Sequence, residues 1–219
     1  MLPCQNLFVK LVALDLFVSG IVVGRSPNGF TTVGNSAAFV NLVTCACYAS
    51  IWYYRSFVFK ENDEYAIDFL RYSDWIVTLP ATLYGLHTLA ETNEQYTYAF
   101  FTKEACILLS TLAVLCAAAW RFGFNELRPP VTLRGALLLP IGALLMLCLC
   151  LTNLLYTLAP DMTHYLAINI LALVWTGYPM VVLSQRILLP QHESLYKDAS
   201  YGVLDLISKS GFACYVVSS

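Results

Sequence analysis

Long apolar stretches parted by short polar clusters dominate the chain. Seven runs stand out, near residues 6–24, 34–58, 66–90, 98–120, 132–157, 163–189 and 195–218. Between them lie RSPNGF (25–30), KENDE (60–64), ETNEQ (91–95), FNELRPP (124–130), APD (159–161) and LPQHES (189–194), which are turn and solvent chemistry. A strand of a membrane barrel would exchange polar and apolar residues strictly over about ten positions. The stretch GALLLPIGALLMLCLCL (135–151) does not alternate. Each run instead approaches the roughly 20 residues that a helix needs to cross a bilayer core. The pattern predicts an all-α integral membrane protein, a seven-transmembrane-helix bundle forming one domain over residues 1–219, with no internal repeat. The first run has no basic residue before Lys10 and is expected to be a retained helix rather than a signal peptide.

Composition narrows the classes further. Hydrophobic residues make up 58% of the 219 and charged residues only 12%, where a soluble domain carries about a quarter charged. Twelve Lys and Arg nearly balance fourteen Asp and Glu, so no basic surface for nucleic acid is expected. All eight cysteines lie in or beside apolar runs and read as small buried hydrophobes. The scattered His87, His164 and His192 give no metal site.

Function is to be sought where ionisable residues interrupt the apolar runs, since each costs about 2.5–3.5 kcal/mol at a helix centre. The third run carries Asp68, Arg71 and Asp74, and the seventh carries Asp205 and Lys209; Lys10, Asp15, Lys103, Glu104 and His87 complete the set. Asp205 and Lys209 are four apart and stack on one helical face. Ten residues follow Lys209, about 15 Å of helix, which sets its ammonium near the middle of a core about 30 Å thick. Three readings of that amine stand at this point: a structural ion pair with Asp205, the ion site of a transporter without chromophore, and an imine formed with a carbonyl-bearing cofactor. The segment RYSDWIVTLP (71–80) bears on the choice, because Arg71, Asp74 and Thr78 fall at spacings of three and four on one face. A buried cation then has two acids beside it and an arginine to keep both ionised, which suits a protonated imine.

These residues resemble the motifs of the microbial (type 1) rhodopsins. Arg71-Tyr72-Ser73-Asp74-Trp75 with Thr78 and Pro80 is similar to the family's third-helix motif. Trp175, Tyr178 and Pro179 resemble its sixth, and Asp205, Lys209, Gly211 and Phe212 its seventh. The remaining helices match in hydrophobic character alone. The resemblance implies a bacteriorhodopsin-like bundle in the cell membrane, a photoreceptor rather than an enzyme, with all-trans-retinal bound as a Schiff base to Lys209. It also implies that Asp74 accepts the Schiff-base proton, that Asp205 is a second counterion, that Arg71 tunes both acids, and that Thr78 hydrogen-bonds Asp74. Trp75 and Trp175 would sandwich the polyene, Tyr178 would bond towards Asp205, and Pro179, Tyr72 and Ser208 would complete the pocket. The partners implied are the lipid bilayer, transported protons, further copies of the chain as a trimer or pentamer, and a membrane transducer if the protein is sensory.

An outward light-driven proton pump is the first expectation, because Asp74 keeps the carboxylate that chloride pumps of the family replace. Outward pumps often place a carboxylic acid eleven residues after the acceptor, and that position is Gly85. The third-helix triplet is therefore Asp74, Thr78, Gly85, without the usual proton donor. Glycine is expected to leave room for water, and His87, Asp15 and Glu104 are the groups able to resupply a proton. His87 stands about 200° round an ideal helix from Gly85. The missing donor also suits a second class, a light-gated channel or a slow photosensor, in which Lys10, Asp15 and Asn41 would line a water path. Glu104 and Ser208 would add polarity near the chromophore, while Val182 and a fifth run without tryptophan make the ring end unusual. Ile187 and Lys197 stand where the best-known pump has its proton-releasing glutamates, with Glu193 as a substitute. The resemblance places the N-terminus outside, whereas counting positive charges favours the reverse, since Lys60, Arg121, Arg128 and Arg134 would then lie outside. Arg121 and Arg134 stand at helix ends, from which they can snorkel.

Overall fold

The computed structural model describes residues 3–26, 32–58, 64–91, 101–124, 133–158, 162–188 and 193–218. Every element among them is helical: α1 (Pro3–Arg25), α2 (Thr32–Tyr53), α3 (Glu64–Glu91), α4 (Lys103–Ala119), α5 (Leu133–Leu158), α6 (Met162–Leu188) and α7, which runs as Glu193–Asp205 and resumes as Gly211–Ser218. π-Helical turns extend α2 (Tyr54–Val58) and α4 (Trp120–Phe124) and interrupt α7 at Leu206–Ser210. The seven predicted runs coincide with these rods. The largest shift is in α4, which starts at Lys103 because Thr102 caps it, its extended backbone at φ −67° and ψ 161° letting the hydroxyl accept from the Ala105 amide at 3.2 Å.

Successive helices pack in chain order, and α7 returns against α1, which closes a ring. Short connections make such neighbours antiparallel. Burial is turned inside out relative to a soluble protein: Leu173 is 73% exposed and Asp205 only 1%. Lipid explains the reversal, since an apolar outer surface has no reason to hide from it. Three helical stretches with described side chains, Asn6–Arg25, Thr32–Val58 and Lys103–Phe122, are long and apolar enough to cross a membrane by themselves. In α3 and α7, ionisable residues replace part of that apolar content. The chain is an integral, multi-pass membrane protein.

Two apolar clusters fill the two halves of the ring. Val9, Val12, Leu16, Tyr48, Ile51 and Ile67 form one, and the other gathers Val23, Leu83, Leu86, Cys106, Trp175 and Phe212 among others. Between them lies a polar middle built from α2, α3 and α7. The cysteine expectation holds for Cys106 and Cys150, which are buried, and fails for Cys148 and Cys214, which face outward. In lipid a thiol is tolerated on either side.

Candidate functional site

The face of α3 at spacings of three and four points into the ring: Arg71, Asp74 and Thr78 are all buried. On the opposite wall the π turn Leu206–Ser210 carries Lys209, likewise buried. Its Nζ lies 2.5 Å from Asp74 Oδ2 and 3.1 Å from Asp205 Oδ1. The amine thus bridges two helices through two carboxylates.

The carboxylates differ in what else they hold. Asp205 accepts from Tyr48 at Oδ2 and from Tyr178 at Oδ1, both at 2.7 Å, so each of its oxygens already has a hydroxyl donor. Tyr178 also meets Ser208 Oγ at 3.2 Å. Asp74 accepts from Thr44 at Oδ1, 2.8 Å, and Oδ2 is left to the amine. Thr78, expected to bond Asp74, donates instead to its backbone carbonyl at 2.9 Å, since a threonine one turn later reaches the i−4 carbonyl most directly. Thr44 and Tyr48 were not foreseen. A signal existed: Asn41, Thr44, Tyr48 and Arg55 recur at spacings of three, four and seven in α2, and all four are buried.

Arg71 also departs from expectation. It reaches away from Asp74 and Asp205 to pair through Nη2 with Asp198, which Arg55 also grips through Nη1, and its Nη1 is 3.7 Å from Asp68. Asp68 pairs further with Lys197 at 2.5 Å and with Arg121 at 2.6 Å, and Glu64 stands 3.4 Å from Lys197. Four cations thus face three acids, an excess of one positive charge. Lys209 between Asp74 and Asp205 has the opposite excess, so the two layers balance. The Arg71 guanidinium lies 5.0 Å over the Tyr201 ring.

Beside Lys209 opens a cavity of about 380 Å³, within the roughly 300–1,000 Å³ usual for ligand pockets. Tyr72, Trp75, Trp175, Tyr178, Pro179 and Ser208 line it with Lys209, as does Thr78. Its walls are rigid: Trp75 meets Tyr178 and Tyr201 edge-on at 5.1 and 5.3 Å between ring centroids. Trp120, in the π turn after α4, supplies an aromatic wall where α5 offers Ile141, Leu144 and Leu147. An elongated apolar aldehyde fits this chemistry, because the hollow ends on an amine.

Other expectations shift. Gly85 stands at a close approach: a Cβ there would lie 3.1 Å from both Phe212 Cζ and Ser36 Oγ. Close approach of α2 and α7 to α3 is what excludes a side chain. Glu104 stands in the first turn of α4, exposed, and is not among the cavity lining. Lys10 and Asp15 are exposed, Lys10 over the Trp52 ring of α2 at 4.7 Å and Asp15 accepting from Ser210 of α7 at 2.7 Å. Asn41 alone of the proposed water path faces inward. Val182, Ile187, Glu193, Lys60, Arg128, Arg134, His164 and His192 lie outside the residues whose side chains are described.

Comparison with known proteins adds independent findings. The sequence model of a family described as bacteriorhodopsin-like protein matches residues 5–219. No curated protein matches by sequence. Among solved structures, a cyanorhodopsin from the cyanobacterium Calothrix sp. superposes with TM-score 0.73 at 17% identity, over 100% of this chain and 95% of that one. A light-driven proton pump from Leptosphaeria maculans gives TM-score 0.73 at 13% identity over 100% and 96%. The rhodopsin of Exiguobacterium sibiricum gives 0.72 at 16% over 99% and 95%. At such identities the structures speak for the fold, and the family model for membership.

Proposed function

Since this chain belongs to the bacteriorhodopsin-like protein family, a family of retinal-binding light-driven membrane proteins, we propose that it is an outward proton pump with Lys209 as the retinal-bearing amine and Asp74 as the proton acceptor. Retinal, linked to Lys209, supplies the absorption of light and the isomerisation that drives the cycle. Lys197 is the other buried lysine of α7, but it is tied to Asp68 and Glu64 and is absent from the cavity wall. Lys209 is the amine that a ligand in the hollow can reach.

The observation that carries the reading is the unequal dress of the two acids. Tyr48 and Tyr178 donate to both oxygens of Asp205, so its acceptor positions are already taken. Asp74 Oδ2 has the amine alone, at 2.5 Å. A proton leaving Nζ therefore finds its open acceptor on Asp74, within the reach that acid–base transfer requires. Thr44 steadies the other oxygen. Trp75, Trp175, Tyr178 and Pro179 orient the ligand by shape and keep water from its length.

Release proceeds towards the end where Arg71, Arg55, Asp198, Asp68 and Lys197 gather. Both halves hold an apolar cluster, but only this one, among the described residues, adds a network of buried ion pairs, and that difference gives the cycle its direction. A channel has less support, because Lys10 and Asp15 are exposed. Cells expressing the protein with all-trans-retinal should acidify a weakly buffered medium on illumination, and a protonophore should abolish the signal. Alkalinisation would reverse the direction, and a photocurrent that changes sign with voltage would replace the pump by a channel.

A further inference from the structure

We propose that His87 is a buried proton relay that resupplies Lys209, doing what a carboxylic acid at position 85 would otherwise do; the idea rests on the pump reading above. Position 85 carries no titratable group, so the resupplying proton needs another carrier through this half of the ring. Among the described residues of that half, the ionisable groups are few. Glu91 and Lys103 pair at 2.8 Å near the helix ends. Glu104 is exposed in the first turn of α4. Asp15 is exposed on α1. Its link inward runs through Ser210, Ser19 and the Asn41 amide to a backbone carbonyl, that of Lys209, which carries no proton.

His87 differs from all of these. It is 0% exposed, and neither Nδ1 nor Nε2 has a hydrogen-bond partner. A buried imidazole with both nitrogens unengaged is costly as mere packing, and it is the form a relay requires, since one nitrogen can accept a proton while the other gives one up. Glu91 follows it one turn later on α3, paired with Lys103, and α4 brings Cys106 beside it and Glu104 towards the surface. From α5, Asn153 Nδ2 reaches Cys106 Sγ at 3.4 Å, and Cys150 Sγ reaches the Cys106 carbonyl at 3.4 Å. These contacts hold the Cys106 thiol in place where it faces the imidazole.

The position is also right. Thr82 lines the cavity and donates to the Thr78 carbonyl at 2.8 Å, continuing the ladder that begins at Asp74. His87 lies five residues further along α3, about 7.5 Å of helix rise, with Leu83 and Leu86 between. A proton from bulk water enters past Glu104 and binds one ring nitrogen of His87. The other nitrogen releases its proton towards Nζ of Lys209, which is open to one after giving its own proton to Asp74. One N–H bond forms for each that breaks, and the imidazole ends neutral as it began.

The test is recovery of the pigment's visible absorption after a flash, measured on the purified, retinal-loaded protein. His87→Leu should slow recovery on the order of a hundredfold, the usual size of an acid–base contribution, and added azide should restore it. Thr88→Val, on the half-buried neighbour, should recover as the unaltered protein does. Unchanged recovery in His87→Leu, or slowing that azide leaves untouched, overturns the relay. Should His87→Leu yield no pigment, time-resolved infrared difference spectra of the unaltered protein labelled with 15N-imidazole histidine decide instead. An isotope-sensitive band that rises and falls with recovery supports the relay, and its absence overturns it. Failure of the pump reading shows separately, as a missing pH change in illuminated cells while flash recovery still depends on His87.

Discussion

Thr44 of α2 donates to Asp74 Oδ1 at 2.8 Å, while Thr78, one turn from Asp74 on the same helix, serves only the backbone. The Asp74 carboxylate is thus positioned across a helix interface. Thr44→Val should remove a hydrogen bond to a charged group, about 1.5–3 kcal/mol of support for the ionised form. The acid-induced colour change of the retinal-loaded protein should then move to higher pH. Thr44→Ser should restore the original midpoint, and Thr78→Val should leave it nearly in place. A midpoint that follows Thr78 instead would refute the assignment.

What the sequence reveals of this site depends on the cost of each residue. Lys209, Asp205 and Asp74 are legible because ionisable groups in apolar runs are expensive and demand an explanation. Thr44 and Tyr48 are uncharged, so they raise no such alarm, and only their recurrence on one face with Asn41 could have marked them. The partner of Arg71 is hidden for another reason: Asp198 sits in the polar opening of the last run and reads as solvent-facing, yet it is 1% exposed. Spacing along α3 places Arg71 on the inner face but does not say towards which end its long side chain turns. Gly85 reads equally well as a space or as a contact until Phe212 and Ser36 are in view.

The identity of the retinal-bearing lysine can be settled with two substitutions. Lys209→Ala should abolish the visible band completely when retinal is added. Lys197→Ala should keep it, because that ammonium is held by Asp68 at 2.5 Å at the far layer. Retained colour in Lys209→Ala would end the assignment.

Asp74→Asn should remove the acceptor and with it the light-driven pH change, to below detection in the cell assay. Weakening the localisation of positive charge at Nζ should also shift absorption to the red. Persistent pumping with a red-shifted band would make Asp205 the acceptor.

Asp198 is the keystone of the outer layer, since both Arg55 and Arg71 close on it. Asp198→Asn leaves two buried guanidiniums without their anion. Breaking a buried pair in this way costs about 3–5 kcal/mol, which for a chain of this size lowers the thermal midpoint by roughly 6–20 °C. Loss of retinal absorbance on heating reads the midpoint directly. A fall of less than a few degrees would mean that Asp68 and Glu64 suffice to hold the cations.

Gly85 offers the sharpest contrast between a water space and a packed contact. Were the glycine leaving a void, Gly85→Ala would be neutral and Gly85→Asp would install the missing donor at no structural cost. A Cβ at this position instead meets Phe212 Cζ and Ser36 Oγ at 3.1 Å and Ser36 Cβ at 3.2 Å, tighter than ordinary contact. Overpacking of this kind costs about 1–3 kcal/mol, so Gly85→Ala should melt roughly 2–12 °C lower. Gly85→Asp should melt lower still. Trimming the ring that blocks the site tests the cause: in a cycle of Gly85→Ala with Phe212→Leu, the two losses should add to less than their sum by at least about 0.5 kcal/mol, the coupling expected of residues in contact. Strict additivity would show that the ring yields freely, and that the absence of a side chain at 85 has some origin other than the closeness of α7.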